Sequence, residues 1–332
     1  MQSILVTGGA GFIGSHFIRY LFSRDDFGGR VINIDKLTYA GNLEYLEPIE
    51  SAWGGERYFF VKGDICDESV VHDLFCEYGI DTVVNFAAET HVDTSIHRCR
   101  DFITTNILGT ATLLEAASDS WKERDDVLFH QVSTDEVFGT LGETGKFSEA
   151  TCYRPRNPYS ATKASADHMV LAFSNTFRVP FTISYSSNNF GPNQHGEKLI
   201  PTMIRCMFNG EKLPIYGDGL QVREWLYVGD HVEAIWKIMN DAAAGSSYAI
   251  GSGLEVKNLD LVQLLCSIMA DEAGMSRLRL LKQLAFVPDR PGHDRRYALD
   301  FSRIRNDLGW RPSTDFEDGL RKTVRWYIGQ AG

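Results

Sequence analysis

The stretch TGGAGFIGSHF, residues 7–17, constrains the fold more than any other feature of the sequence. It follows a short apolar run and precedes a segment with helical periodicity. Gly9, Gly11 and Gly14 fit the pattern G-x-G-x-x-G, and Gly8, Gly11 and Gly14 fit its variant with three-residue spacing. Glycines let the backbone turn tightly and let a pyrophosphate approach the helix N-terminus, where N–H groups and the helix dipole favour an anion. The segment therefore predicts the first β–α unit of a dinucleotide-binding sheet.

Apolar runs alternate with helical patterns along most of the chain, which is typical of βαβ units and a parallel sheet. We predict an α/β protein with a Rossmann-type, doubly wound parallel sheet and a smaller C-terminal lobe that binds substrate. The predicted strands are residues 3–7, 30–35, 58–62, 82–87, 127–133, 181–186 and 247–251. From Gly191 onward the alternation weakens, and three segments rich in Gly, Pro and charge are interpreted as loops: GPNQHGEKLIP, KLPIYGDGLQVREWLYV and FVPDRPGHDRRYALD. The predicted domains are 1–190, which also receives roughly 230–252, and a second lobe of 191–229 and 253–332.

The second predicted strand ends in Asp35, which indicates the type of dinucleotide. A carboxylate at this position accepts hydrogen bonds from the adenosine ribose hydroxyls and repels a ribose phosphate. We therefore expect NAD rather than NADP. Asp64 and Ile65, and Ala87 and Ala88, follow the third and fourth strands, where an adenine and a nicotinamide ribose would lie.

Composition excludes several classes of function. The 332 residues carry a net charge of −11 and a pI near 5.3, which argues against a protein that binds nucleic acid or a membrane surface. The six cysteines form no C-x-x-C pair, so we expect reduced thiols and a cytoplasmic location. We see no secretion signal and no apolar segment long enough to span a bilayer.

The motif NPYSATK places two reactive side chains on one predicted helix. Asn157 is a plausible N-cap and Pro158 suits the first helical position, so Tyr159 and Lys163 lie four residues apart on one face. A nearby ammonium, like a nicotinamide cation, would stabilise the phenolate and make Tyr159 a base. A Tyr and a Lys at this spacing also occur by chance in many helices, and the glycine loop is what favours the functional interpretation.

VSTDEVFGT, residues 132–140, places Asp135 and Glu136 side by side after a buried run. Neighbouring side chains of a strand point to opposite faces, so both acids can reach one ligand only where the backbone leaves the sheet, which Gly139 facilitates. The alternative is a solvated transition from strand to loop.

Longer motifs show a family resemblance. NFAAETH, STDEV, Y-x-x-x-K and SNNFGPNQ resemble the extended short-chain dehydrogenases/reductases. STDEVFG, EKLIP, LPIYGDGLQVREWLYV and PDRPGHDRRYALD narrow the resemblance to the dTDP-glucose 4,6-dehydratase family, from Ser3 to Tyr327. That family is a group of hydro-lyases that convert a dTDP-hexose to its 4-keto-6-deoxy product with NAD that is regenerated in each turnover.

The resemblance implies roles for five residues. Tyr159 takes the proton of the C4 hydroxyl as hydride passes to NAD, Thr134 binds the C4 oxygen and Lys163 tunes Tyr159. Ionised Glu136 removes the C5 proton, and protonated Asp135 donates to the departing C6 hydroxyl. This division requires a raised pKa for Asp135.

The resemblance also implies the residues that bind each ligand. On the cofactor side these are Gly8, Gly11, Phe12, Ile13, Gly14, Asp35, Lys36, Leu37, Thr38, Gly41, Asp64, Ile65, Ala87, Ala88, Glu89, Thr105, Tyr159, Lys163 and Asn189. On the dTDP-glucose side they are His91, Thr134, Asn188, Lys198, Leu199, Pro214, Ile215, Tyr216, Arg223, Asn258, Asp289, Arg290 and His293, with Arg223 and Arg290 on the diphosphate. It further implies a homodimer packed through helices near residues 106–117 and 158–177. No metal ligand set is predicted.

Three departures from the family pattern bear on specificity. Thr94 stands where the family usually has Arg, His195 and Gly196 stand where an aromatic residue and Pro are common, and Glu224 replaces a usual Asp. The changes at 195 and 196 leave the base open, so a UDP-sugar is an alternative substrate. A nucleotide-sugar 4-epimerase and a non-enzymatic dinucleotide sensor are the alternative functions. An epimerase needs no acid pair, and a sensor needs no reactive groups.

Overall fold

A computed structural model describes residues 1–122, 124–289 and 293–331 of the chain. Its centre is a seven-stranded sheet in the order β10-β6-β5-β4-β1-β2-β3, in which every neighbouring pair is parallel. This is the doubly wound Rossmann arrangement, and its order reverses between β1 and β4. The predicted fold class is confirmed.

The elements follow one another along the chain as expected for repeated βαβ units. The strands are β1 (Ser3–Thr7), β2 (Arg30–Asp35), β3 (Tyr58–Lys62), β4 (Thr82–Asn85), β5 (Leu128–Thr134), β6 (Phe181–Ser186), β7 (Asn188–Phe190), β8 (Leu213–Tyr216), β9 (Val222–Tyr227), β10 (Ser246–Ile250), β11 (Glu255–Lys257) and β12 (Leu284–Val287). The α-helices are α1 (Phe12–Phe22), α2 (Glu47–Trp53), α3 (Glu68–Tyr78), α4 (Val92–His97), α5 (Cys99–Phe102), α6 (Gly109–Ser120), α7 (Pro158–Phe177), α8 (Leu199–Asn209), α9 (Val228–Asp241), α10 (Asn258–Ala273), α11 (Arg277–Leu281), α12 (Ser302–Leu308) and α13 (Phe316–Ala331). Short 3₁₀ turns span Leu43–Leu46 and Asp135–Phe138, and a π-helical turn spans Ile103–Leu108.

All seven predicted strands form the central sheet, with ends within two residues of the prediction. Their apolar side chains feed two clusters, and a third apolar cluster lies among later elements, including α8, α10 and α13. The division into two domains at residue 190 stays a prediction.

The interpretation of residues 212–228 as loops alone is wrong, and the segment 286–300 begins within β12. β8 and β12 form a two-stranded parallel sheet, and β9 pairs with β7 and β11 in a three-stranded sheet. These strands have three to six residues, and Pro214 lies inside β8. Runs this short show no clear period in the sequence.

None of the helices in residues 1–122, 124–289 and 293–331 is long and apolar enough to cross a bilayer.

Candidate active site

A cavity of about 560 Å³ opens at the carboxyl ends of the parallel strands. Its walls come from the loops after β1, β2, β3, β4, β5 and β6, and from α8, β8 and β9. Ligands of open α/β sheets bind at this edge, where the strand order reverses. The cavity therefore lies where the glycine loop predicts a ligand.

The glycine loop after β1 packs so closely against neighbouring backbone that two of its positions have no room for a Cβ. Gly8 has φ +66°, and a Cβ added there would lie 2.9 Å from the Ala87 Cα. A Cβ added at Gly14 would lie 2.4 Å from the carbonyl oxygen of Gly8. Helix α1 begins after Gly11 with no side-chain cap, so its first N–H groups face the cavity edge without a side-chain acceptor. The glycine loop and the first turn of α1 together form a cradle that fits a pyrophosphate.

Asp35 ends β2 and is fixed by the backbone on either side. Its Oδ2 accepts a hydrogen bond from the Ala10 amide at 2.9 Å, and its Oδ1 accepts one from the Leu37 amide at 2.8 Å. Burial raises the pKa of this carboxyl, and the two amides act against that rise. Each oxygen keeps a second lone pair for ribose hydroxyls.

The acid pair lies where β5 passes into a 3₁₀ turn. Thr134 caps this turn, because its Oγ1 accepts a hydrogen bond from the Glu136 amide at 3.3 Å, and the same hydroxyl is 3.3 Å from the Asp135 Oδ1. Gly139 follows with φ +94°. The backbone thus leaves the sheet at this point, and Thr134, Asp135 and Glu136 all line the cavity.

The two acids have different environments. Asp135 is 2% exposed, whereas Glu136 is half-buried. Burial raises the pKa of Asp135 well above its ordinary value, and the negative charges of Glu136 and Glu224 raise it further. Within the described residues, the Asp135 Oδ2 is buried without a hydrogen-bond partner. The raised pKa agrees in direction with the expectation of a protonated Asp135.

Helix α7 carries the Tyr/Lys pair. Asn157 and Ser160 form a capping box at its start, and Pro158 is its first residue, so the expected helix start is confirmed. Tyr159 and Lys163 are both buried and both line the cavity. The Lys163 Nζ donates a hydrogen bond to the Val132 carbonyl at 2.7 Å.

The ionisation of this pair differs from the expectation. Burial raises the pKa of Tyr159, the charges of Glu136 and Asp135 raise it further, and a hydrogen bond with Thr134 lowers it. Burial also lowers the pKa of Lys163. The Tyr159 pKa was expected to be lowered by Lys163 and a nicotinamide cation, whereas in the protein alone it is raised, chiefly by desolvation of the phenol.

Most of the other predicted site residues also line this cavity. On the cofactor side they are Gly8, Gly11, Phe12, Ile13, Gly14, Asp35, Lys36, Thr38, Gly41, Asp64, Ile65, Ala87, Ala88, Glu89, Thr105 and Asn189; on the substrate side they are His91, Asn188, Lys198, Leu199, Pro214, Tyr216, Arg223 and Asn258. Arg223 is nearly buried, donates to the Asp294 carbonyl at 2.9 Å and lies over the Tyr297 ring at 4.5 Å.

Four described residues of the predicted set are not part of the lining. The Leu37 amide donates a hydrogen bond to the Asp35 carboxylate, and Ile215 is buried in an apolar cluster. Asp289 accepts a hydrogen bond from Gln221 at 3.0 Å, and its Oδ1 lies 2.6 Å from the His293 Nδ1. Arg290 lies outside the described residues.

Glu197 lines the cavity but was not predicted as a site residue from the sequence. Its Oε2 lies 3.7 Å from the His91 Nε2 and 3.7 Å from the His195 Nδ1, and its Oε1 lies 3.5 Å from the Lys198 Nζ. Glu197 thus joins the loop after β4 to the segment before α8. Its position in the motif EKLIP was the available signal.

The described residues contain no group of three or more His, Cys, Asp or Glu side chains arranged to hold a metal ion.

This fold, with its glycine loop and its buried Tyr/Lys pair, is that of an extended short-chain dehydrogenase/reductase. The family model described as GDP-mannose 4,6 dehydratase matches residues 5–323. A dTDP-glucose 4,6-dehydratase of Xanthomonas campestris pv. campestris (strain B100) is 49% identical over 337 residues, which cover 99% of this chain and 93% of that protein.

Solved structures agree with these relatives. The crystal structure of DesIV, a dTDP-glucose 4,6-dehydratase of Streptomyces venezuelae with NAD bound, has a TM-score of 0.90 and 42% identity, covering 99% of this chain and 97% of that one. UDP-glucose 4-epimerase of Thermotoga maritima has a TM-score of 0.87 and 27% identity, covering 100% of both chains. The chain therefore belongs to the dTDP-glucose 4,6-dehydratase family.

Proposed function

We propose that this protein is an NAD-dependent hydro-lyase that converts dTDP-glucose to dTDP-4-keto-6-deoxyglucose. The observation that carries this proposal is the pair of adjacent acids with unequal burial beside Tyr159 and Lys163. Removing water across C5 and C6 requires one group that accepts the C5 proton and another that donates a proton to the leaving hydroxyl. Half-buried Glu136 and buried Asp135 suit these two tasks.

The cofactor proposal rests on the cradle after β1. The free N–H groups at the start of α1 would hold the pyrophosphate, and Asp35 would hold the adenosine ribose. When bound, NAD supplies the two-electron acceptor for oxidation at C4 and the donor for reduction at C6. Its positive ring would also favour the phenolate of Tyr159, against the effect of burial.

The protein's side chains account for the proton movements. Tyr159 accepts the proton of the C4 hydroxyl, and the Thr134 hydroxyl hydrogen-bonds to the C4 oxygen. The new C4 carbonyl makes the C5 proton acidic, and Glu136 removes it and later returns a proton, exchanged with solvent, to C5 as C6 is reduced. Asp135 gives its proton to the C6 hydroxyl, which leaves as water.

The diphosphate requires local positive charge in a chain whose net charge is −11. Arg223 is nearly buried in the cavity wall and Lys198 lies in the same lining, so both suit phosphate oxygens. We assign Arg290 to the same task from the family pattern. Asn188, Leu199, Pro214, Tyr216 and Asn258 would line the sugar and base.

A 4-epimerase shares this fold and would also use Tyr159 and Lys163. It would have no use for a buried acid that holds its proton next to a second carboxyl group. The acid pair therefore favours dehydration.

We also propose a cytoplasmic homodimer. All six cysteines are free thiols, which suits a reducing compartment. Ile103 and Leu108, on the π-helical turn before α6, and Phe177, at the end of α7, are 49%, 51% and 57% exposed. A second copy could cover these apolar side chains, and a monomeric mass in solution would contradict that proposal.

The test is a product assay with dTDP-, UDP-, GDP- and CDP-glucose in deuterated water. We expect a 4-keto-6-deoxy sugar from dTDP-glucose, with deuterium at C5 and no net consumption of bound NAD. A hexose product without the keto group would support the epimerase. Equal turnover of UDP-glucose would overturn the assignment of the base, and tight NADH binding without turnover would support the sensor.

A further inference from the structure

A buried acid outside the proposed proton transfers lies on the helix that carries the Tyr/Lys pair. Asp167 is one turn after Lys163 and two turns after Tyr159 on α7, so the three residues share a face. Asp167 is 0% exposed. It does not line the cavity. An ionisable side chain is rarely buried this completely unless a neighbouring group compensates for its lost hydration.

Two hydrogen bonds tie this helix to the strand that carries the acid pair. The Ser133 hydroxyl donates to the Asp167 Oδ2 at 2.6 Å, and the Lys163 Nζ donates to the Val132 carbonyl at 2.7 Å. Val132 and Ser133 directly precede Thr134. Asp167 therefore lies at the junction between the two parts of the proposed catalytic set.

The protonation of Lys163 depends on the nearby charge of Asp167. Burial lowers the pKa of Lys163, and the negative charge of Asp167 acts against that shift. Tyr159 has a raised pKa. As pH rises in the protein alone, Lys163 therefore releases its proton before Tyr159 does, and a neutral amine gives little help to a phenolate.

Building on the function proposed above, we propose that Asp167 is a positioning residue, the buried counter-charge that keeps Lys163 protonated and aligned on α7 while Tyr159 accepts a proton. Asp167 acts through Lys163 and touches neither ligand. Ser133 supports it by donating a hydrogen bond to its carboxylate.

The charged state of Asp167 has a defined pH range. Burial raises its pKa to about 7, while Lys163 and the hydrogen bond from Ser133 act in the opposite direction. Among the described residues, the other titratable groups that interact with it are Tyr153, which precedes α7, Tyr159 on α7 and Tyr185 on β6. Asp167 is thus negative at the alkaline pH values where Lys163 would otherwise lose its proton.

The test compares Asp167→Asn with Ser133→Ala, using full-length protein with NAD. Asp167→Asn keeps the size of the side chain and removes the charge. The rate of the NADH transient in a single turnover of dTDP-glucose should fall about tenfold above pH 8, with KM changed less than about threefold. The alkaline limb of the pH profile should move down by about one pH unit. Ser133→Ala should move it in the same direction by less, and this variant carries the test if Asp167→Asn does not fold.

A second measurement is independent of turnover. In protein labelled with carbon-13 at lysine Cε, the Lys163 signal can be assigned by its loss in Lys163→Met. We expect Lys163 to titrate about one pH unit lower in Asp167→Asn than in the wild type. A wild-type enzyme without activity on dTDP-glucose would refute the proposed function, and the lysine titration would still decide the role of Asp167.

The matched control is Asp230→Asn. Like Asp167, Asp230 is buried and does not line the cavity, but it accepts hydrogen bonds from Ser313 and Thr314 instead of lying on α7 beside Lys163. Asp230→Asn should change neither the alkaline limb of the rate profile nor the titration of Lys163. The inference is overturned if Asp167→Asn keeps the wild-type alkaline limb and lysine titration, or if Asp230→Asn moves them equally.

Discussion

Replacing Asp135 with Asn should stabilise the fold while it removes activity. Burial, together with Glu136 and Glu224, raises the pKa of Asp135 well above 3.8. Between the ordinary pKa and the raised one, the folded chain holds a proton that the unfolded chain has released. In this range the free energy of unfolding of the wild type falls by about 1.4 kcal/mol for each pH unit.

The Asp135→Asn variant has no proton to release at this position, so this cause of the fall in the free energy of unfolding with rising pH is absent from it. The variant should gain on the wild type by about 1.4 kcal/mol per pH unit from about pH 4 upward, until Asp135 itself ionises in the folded protein. Asp135 is 2% exposed, so solvent screening reduces this figure little. The two stabilities should converge toward pH 4.

Urea unfolding of both proteins at pH 4.5, 5.5 and 6.5 measures the effect, and dehydration of dTDP-glucose measures the loss of activity. Asp67→Asn is a control of opposite sign, because hydrogen bonds with Ser69 and Val70 lower the pKa of Asp67. The contribution of Asp67 to stability is present above its ordinary pKa and is lost as pH falls through its lowered pKa. A difference between Asp135→Asn and wild type that stays flat from pH 4.5 to 6.5 would refute the reasoning.

Gly14→Ala should weaken NADH binding at least about 100-fold in a fluorescence titration, because its Cβ would lie 2.4 Å from the Gly8 carbonyl oxygen. Gly28→Ala is its control, since a Cβ there meets nothing within 4 Å, and equal binding by both variants would contradict the cradle. Tyr159→Phe should abolish the NADH transient in stopped-flow absorbance, and a normal transient would remove Tyr159 as the base. Glu136→Gln should still bind NAD but lose exchange of the C5 hydrogen with deuterated solvent, measured by mass spectrometry; unchanged exchange would exclude Glu136 from that step.

The central sheet could be predicted from the sequence because its strands are buried on both faces. Such strands are rich in apolar residues, as in residues 3–7 and 82–85, and glycine or polar segments mark their ends. The strands β8, β9 and β12 gave no such signal. Pro214 interrupts β8, Arg223 and Glu224 interrupt the apolar residues of β9, and β12 has only four residues.

The site was predicted in part for the same reason. Parallel strands bring their carboxyl ends to one edge, so the sequence predicts that Asp35 and Thr134, at the ends of two such strands, lie along the same edge of the sheet. Glu197 depends on how two distant loops meet, which a linear pattern does not specify. The Tyr159 pKa could not be predicted in direction, because the extent of burial depends on packing that only three dimensions define.

The return of the chain to the main sheet through β10 limits how the protein can be divided. β10 pairs with β6 and comes after residues that build the cavity wall, such as Arg223. A fragment that stops at residue 190 would leave the backbone of β6 bare along one side, ready to join strands of other molecules. Expression of residues 1–190 alone should therefore give aggregates. A circularly permuted or split version would have to keep residues 246–250 together with residues 1–190.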